Sequence, residues 1–169
     1  MFIMHEENKF LQFIYTFFLG ITIALFIGIG INTFYPQPDM PQPPETLNSL
    51  NNLNKQPTEQ QIALQNSYDI SVQDFNKNKM NPYNRNVSII TLATAIILVA
   101  LSMLLEHKNI KVIADGVMVG GLLTLLYSVG RGVASQDNQY MFGAVAVGLA
   151  LVLYLGYHRF VAPYKAHAK

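Results

Sequence analysis

The stretch FLQFIYTFFLGITIALFIGIGINTF, Phe10 to Phe34, decides the architecture. It runs for 25 residues without a charge. As a helix it is about 37 Å long at roughly 1.5 Å per residue, which exceeds the roughly 30 Å of a bilayer's hydrocarbon core. A cleaved signal peptide would need a basic start, a shorter apolar run and a small-x-small cleavage site. Here Glu6 and Glu7 stand beside Lys9, and Ile31 to Pro36 offers no such site. The segment therefore reads as an uncleaved signal-anchor helix.

Working outward, the same logic finds three more apolar stretches. The expected plan is transmembrane helices at 10–34, 87–105, 112–130 and 140–158. Residues 1–9, 106–111 and 159–169 then lie on one side of the membrane. Residues 35–86 and 131–139 lie on the other. The connections at 106–111 and 131–139 are short, which predicts antiparallel neighbours. The expected fold class is all-α: an integral membrane four-helix bundle with a long extracytoplasmic loop between helices 1 and 2.

Composition supports this plan. Hydrophobic residues make up 51% of the chain and charged ones 12%, against about 25% charged in soluble domains. Four apolar helices in 169 residues leave no soluble shell to cover them. The net charge of +1 gives no footprint for nucleic acid. Without cysteine there is no disulfide, thiolate metal site or CxxC redox chemistry.

Charge density sets the expected orientation. Lys9, Lys108, Lys111, Arg159, Lys165 and Lys169 fall on the terminal side, and Lys55, Lys77, Lys79, Arg85 and Arg131 on the other. The counts are nearly equal. The terminal side concentrates its cations in short tails and one tight turn, and the positive-inside rule weighs such segments. Both termini are therefore expected in the cytoplasm.

The loop 35–86 opens with Pro36, Pro38, Pro41, Pro43 and Pro44, which fix φ and remove amide donors, so an extended polyproline strut is expected. Leu47, Leu50 and Leu53 suggest one short amphipathic turn. Pro57 suits a helix start, and Leu64, Tyr68, Val72 and Phe75 share a helical face. Asn81-Pro82 is expected to end any helix there. The segment reads either as a partner-binding or lid-like element or as a polar loop resting on the bundle mouth.

Small residues recur every four positions in three spans. The first carries Gly20, Ala24 and Gly28; the third Gly116, Gly120, Thr124 and Ser128; the fourth Ala144 and Gly148. In lipid no hydrophobic force drives helices together, so close backbone approach through small residues does the packing. These ladders are the expected helix-packing or interaction faces, inside one bundle or between chains. Thr91, Thr94 and Ser102 are expected to bond back to carbonyls one turn earlier.

The candidate intramembrane polar site comprises Asp115, Arg131 and Asp137. Asp115 lies about one turn inside the third span, where a carboxylate costs up to roughly 2.5–3.5 kcal/mol at mid-membrane and less near the edge. The structural alternative is an interfacial helix start, with Lys111 four residues earlier as its ion-pair partner. Arg131 caps the other end of that span between Gly130 and Gly132, with Asp137 as its expected partner across the turn. It is a charged cap, an anchor for the long loop or a holder of a lipid headgroup. His5, His107, His158 and His167 do not cluster, and no HExxH, GxSxG, Walker A or strand-borne GxGxxG motif is present. No metal and no cofactor is expected.

Gly28-Ile-Gly-Ile-Asn-Thr-Phe-Tyr-Pro36 and Tyr127-Ser-Val-Gly-Arg-Gly132, with the four-span layout, resemble segments of small uncharacterised membrane proteins of candidate-phylum bacteria. The resemblance implies a multi-pass protein of the bacterial inner (plasma) membrane and carries no activity. The expected function is non-enzymatic: an accessory or scaffold subunit associating through small-residue helix faces and its outer loop. Its expected partners are membrane lipids and a second copy or another membrane protein. The alternative is a small channel or transporter component, with Asp115, Thr124, Ser128 and Arg131 as a sparse polar path. An intramembrane enzyme needs convergent carboxylates or histidines, and only Asp115 offers itself.

Overall fold

The computed structural model describes residues 3–45, 58–108 and 110–161, and all regular structure among them is helical. The elements are α1 (Ile3–Phe34), α2 (Glu59–Phe75), a π-helical segment (Asn76–Met80), α3 (Asn81–His107), α4 (Lys111–Ala134), α5 (Asn138–Gly156) and a π-helical turn (Tyr157–Val161). Four helical stretches are long and apolar enough to cross a membrane: Lys9–Phe34, Glu59–His107, Lys111–Ala134 and Asn138–Arg159. The expected turn at Leu47, Leu50 and Leu53 lies outside the described residues, as do Lys55, Pro57, Lys165, His167 and Lys169.

The boundaries follow from local chemistry. α1 closes with the Tyr35 amide donating to Ile31 O at 2.7 Å, directly before Pro36, which biases its predecessor away from helix. α2 starts at Thr58, whose amide donates to Gln61 Oε1 at 2.8 Å, one half of a capping box. Between α4 and α5, Gln136 takes a left-handed φ of 54°, the conformation that commonly ends a helix. Asp137 then caps α5 by accepting the Tyr140 amide at 3.0 Å.

Asn81-Pro82 does not end the helix. Helical structure is unbroken from Glu59 to His107, so the run that contains the second span begins well before Val87. The physical reason lies in the π-helical segment just before the proline, where the Asn81 amide reaches Asn76 O, five residues back. A widened turn gives the pyrrolidine ring room beside the preceding carbonyls, so the helix runs on through the proline.

The chain divides into two compact units, residues 37–83 and the remainder. Within the first, α2 buries no residue. Its Tyr68 hydroxyl donates to Pro41 O at 3.2 Å and ties the proline-rich segment to the helix.

In the second unit α4 is the hub and buries the largest share of its length, while α1 buries the least. α1 and α4 run parallel. The contacts climb both helices together: Thr16 with Val112, Leu19 with Gly116, and Gly20 with Val119 and Gly120. α3 meets α4 where Gly121 faces Ala95, Leu98 and Val99, and α5 meets it where Gly148 faces Leu125 and Gly132 faces Tyr140 and Ala144. The outer surfaces are apolar, with Phe18 71% and Phe26 78% exposed on α1 and Phe142 77% on α5.

Candidate functional site

The polar side chains of the bundle gather at three levels. The middle level joins α3 to α4. Ser88 Oγ donates to Ser128 O at 2.7 Å, and Ser128 Oγ donates to Ser88 O at 2.8 Å. Both serines are fully buried. The helices come this close because α3 presents Asn84, Ser88, Thr91 and Ala95 at intervals of three and four, all buried. Gly132 completes the fit, since a Cβ there would stand 3.2 Å from Ser88 Oγ. Thr91, Thr94, Ser102 and Thr124 bond back to carbonyls of the preceding turn.

The second level lies at the C-terminal end of α4. Arg131 donates through Nη1 to Asn84 Oδ1 at 2.8 Å and through Nε to the Tyr127 hydroxyl at 3.0 Å, with its guanidinium 5.4 Å from the Tyr127 ring centre. Asn84, buried, turns its amide nitrogen to Ala134 O at 3.2 Å. Beside them Arg85 forms an ion pair with Asp137 at 3.4 Å. Asp137 was expected to face Arg131; Arg85 takes that place because the α3 N-terminus rises beside the α4–α5 turn. The Tyr140 amide holds the Asp137 carboxyl below its usual value of 3.8; desolvation opposes this, and the Arg85 guanidinium adds to the lowering. Nearby, Asn86 Nδ2 donates to the Tyr35 hydroxyl at 3.0 Å and joins the ends of α1 and α3.

The third level lies one turn into α4. Asp115 pairs with Arg159, whose second nitrogen reaches Met118 Sδ at 3.3 Å. Lys111 was the expected partner of Asp115. The π-helical turn after α5 instead carries Arg159 back over α4, and the two side chains cover each other to 35% and 27% exposure. Asp115 and Arg131 are sixteen residues apart on one helix, about 24 Å at 1.5 Å per residue. Asp115 therefore does not converge with Arg131 and Asp137.

The small-residue ladders divide as well. A Cβ on Gly20 would fall 2.5 Å from Val119 Cγ1, one on Gly116 2.6 Å from Leu19, and one on Gly120 2.9 Å from Ile23. These three glycines form the α1–α4 contact. Thr124 and Ser128 are buried further along α4, and Gly148 rests against Leu125. A Cβ on Gly28 would meet nothing within 4 Å. Past Ile23 the two helices leave between them a slot of about 550 Å³ lined by Ala24, Gly28, Asn32, Leu123, Thr124 and Tyr127, among others.

Asn84, Arg85, Ser88 and Arg159 are the contributors that the sequence reading did not single out. For the α3 residues a signal existed in the three-and-four spacing of small and polar positions from Asn84 to Ala95. For Arg159 the chain carries none, because its partner is 44 residues away. Among the described residues no three metal-ligating side chains come together. No family model, curated protein or solved structure matches this chain.

Proposed function

We propose that this chain is a non-enzymatic integral membrane protein, an accessory or scaffold subunit of a bacterial inner membrane with both termini in the cytoplasm. What supports this reading is how the polar groups of the spans are used. Ser88 bonds Ser128, Asn84 bonds Arg131, and Asp115 bonds Arg159. Each pair ties one helix to another. A polar group in lipid is costly unless partnered, and pairs of this kind hold bundles together where hydrophobic force is absent. Catalysis or ion passage would need such groups turned toward a substrate or a path.

The test is gentle detergent extraction of the full chain, followed by mass measurement of the intact complex. A defined oligomer or a co-purified membrane protein is the expected result. A bare monomer would count against a scaffold. Ion flux in liposomes that falls on Asp115→Asn would replace the reading with a channel.

A further inference from the structure

We infer that the slot between α1 and α4 holds one acyl chain of an anionic phospholipid whose phosphate sits against Arg131. The inference needs no protein partner and stands apart from the scaffold reading.

Three observations meet at this place. The first is shape. α1 and α4 touch from Thr16–Val112 to Ile23–Gly120, and beyond that contact about 550 Å³ lies open beside Gly28. That volume falls within the roughly 300–1,000 Å³ of ordinary small-molecule sites. The second is chemistry along its length. Ile21, Ala24, Leu25 and Leu123 line it as an apolar wall, while Asn32 and Tyr127 bring polar atoms to its C-terminal end. The third is charge at that end. Tyr127 belongs both to the slot and to the Arg131 cluster, with the guanidinium 5.4 Å from its ring. Guanidinium stays charged at all relevant pH and suits phosphate oxygens.

An apolar slot with a cation beside its polar end, held against the lining residue Tyr127, matches an amphiphile with an apolar tail and an anionic head. Two further cavities among the described residues lack this combination. The groove between α4 and α5, about 530 Å³, is lined by aliphatic residues and Gly148. The small cavity beside Arg159, about 250 Å³, falls below the range of ordinary small-molecule sites.

The experiment uses the full chain in micelles doped with phosphatidylglycerol or phosphatidylcholine of identical acyl chains, with bound lipid counted by native mass spectrometry. One phosphatidylglycerol per chain is expected, retained about five-fold better than phosphatidylcholine, the effect of about one basic residue. Gly28→Leu should expel it, because a Cβ there meets nothing within 4 Å and the added side chain obstructs the slot without disturbing the fold. Arg131→Gln should erase the preference between the two lipids. A melting curve for each variant separates lost lipid from lost structure. Equal retention of both lipids would overturn the inference, and so would undiminished binding in Gly28→Leu. A dimer that Gly28→Leu dissolves, with no lipid bound, would assign the slot to a second copy. Glycerol phosphate competing as well as the lipid would overturn the role of the acyl chain.

Discussion

Ser88 and Ser128 bond each other reciprocally: each hydroxyl donates to the other's backbone carbonyl, at 2.7 and 2.8 Å, and the two oxygens stand 3.3 Å apart. Neither serine has any exposure. The pair clamps α3 to α4. A hydrogen bond between membrane helices is worth on average about 0.6 kcal/mol and at most about 1.7. Ser88→Ala and Ser128→Ala should therefore each destabilise modestly, and the double variant should cost less than the sum. A double-mutant cycle on unfolding in mixed micelles measures that coupling. Strict additivity would show that the two hydroxyls act independently.

The crossing of α1 and α4 makes a sharper forecast. A Cβ on Gly20 would overlap Val119, and the Gly120 position faces both Ile23 and Gly20 O at 3.2 Å. Overpacking of this kind costs about 1–3 kcal/mol. Gly20→Val and Gly120→Leu should lower the midpoint of thermal unfolding in detergent, while Gly28→Ala should leave it almost unchanged. Equal effects at Gly20 and Gly28 would contradict the open slot beside Gly28.

Asp115 and Arg159 hold the end of α5 over α4. Removing one charge strands the other in partly covered surroundings, and hydrogen bonds to charged groups are worth about 1.5–3 kcal/mol. With both side chains about a third exposed, the lower end of that range is expected. Asp115→Asn and Arg159→Gln should each destabilise, and the swap Asp115→Arg with Arg159→Asp should recover part of the loss. A swapped variant no better than the single ones would mean that the pair is incidental.

At the α4–α5 turn, acid should loosen the cap of α5. The Tyr140 amide and Arg85 depress the Asp137 carboxyl in the folded chain. A depressed carboxylate contributes stability that is present above its unfolded value and lost as pH falls through its folded value. Unfolding of the wild type should therefore become easier below about pH 4, the ordinary carboxylate range. Asp137→Asn, which still caps a helix, should flatten that part of the pH profile. An unaltered profile would remove Asp137 from the account.

Hydropathy sums along the chain, residue by residue. For that reason the sequence alone determined the four apolar helices, the absence of thiol chemistry and the existence of small-residue faces at Gly20, Gly120 and Gly148. The proline at position 82 misled because its effect depends on the turn before it, and a π-helical widening at Asn76–Met80 is a property of backbone geometry.

Only the tertiary structure decided which ladders meet and which stay open. Gly20 and Gly28 are equivalent as residue types and lie eight positions apart on one helix. A Cβ on one would collide with Val119 while the other borders a slot, because the facing residues of α4 differ from turn to turn. The same holds for the charges. Lys111 and Arg131 were the near neighbours in sequence, yet Asp115 found Arg159 and Asp137 found Arg85. Long, flexible cations reach whatever packing brings beside them, and packing is fixed by the rotation and separation of whole helices, quantities that no local stretch of residues contains.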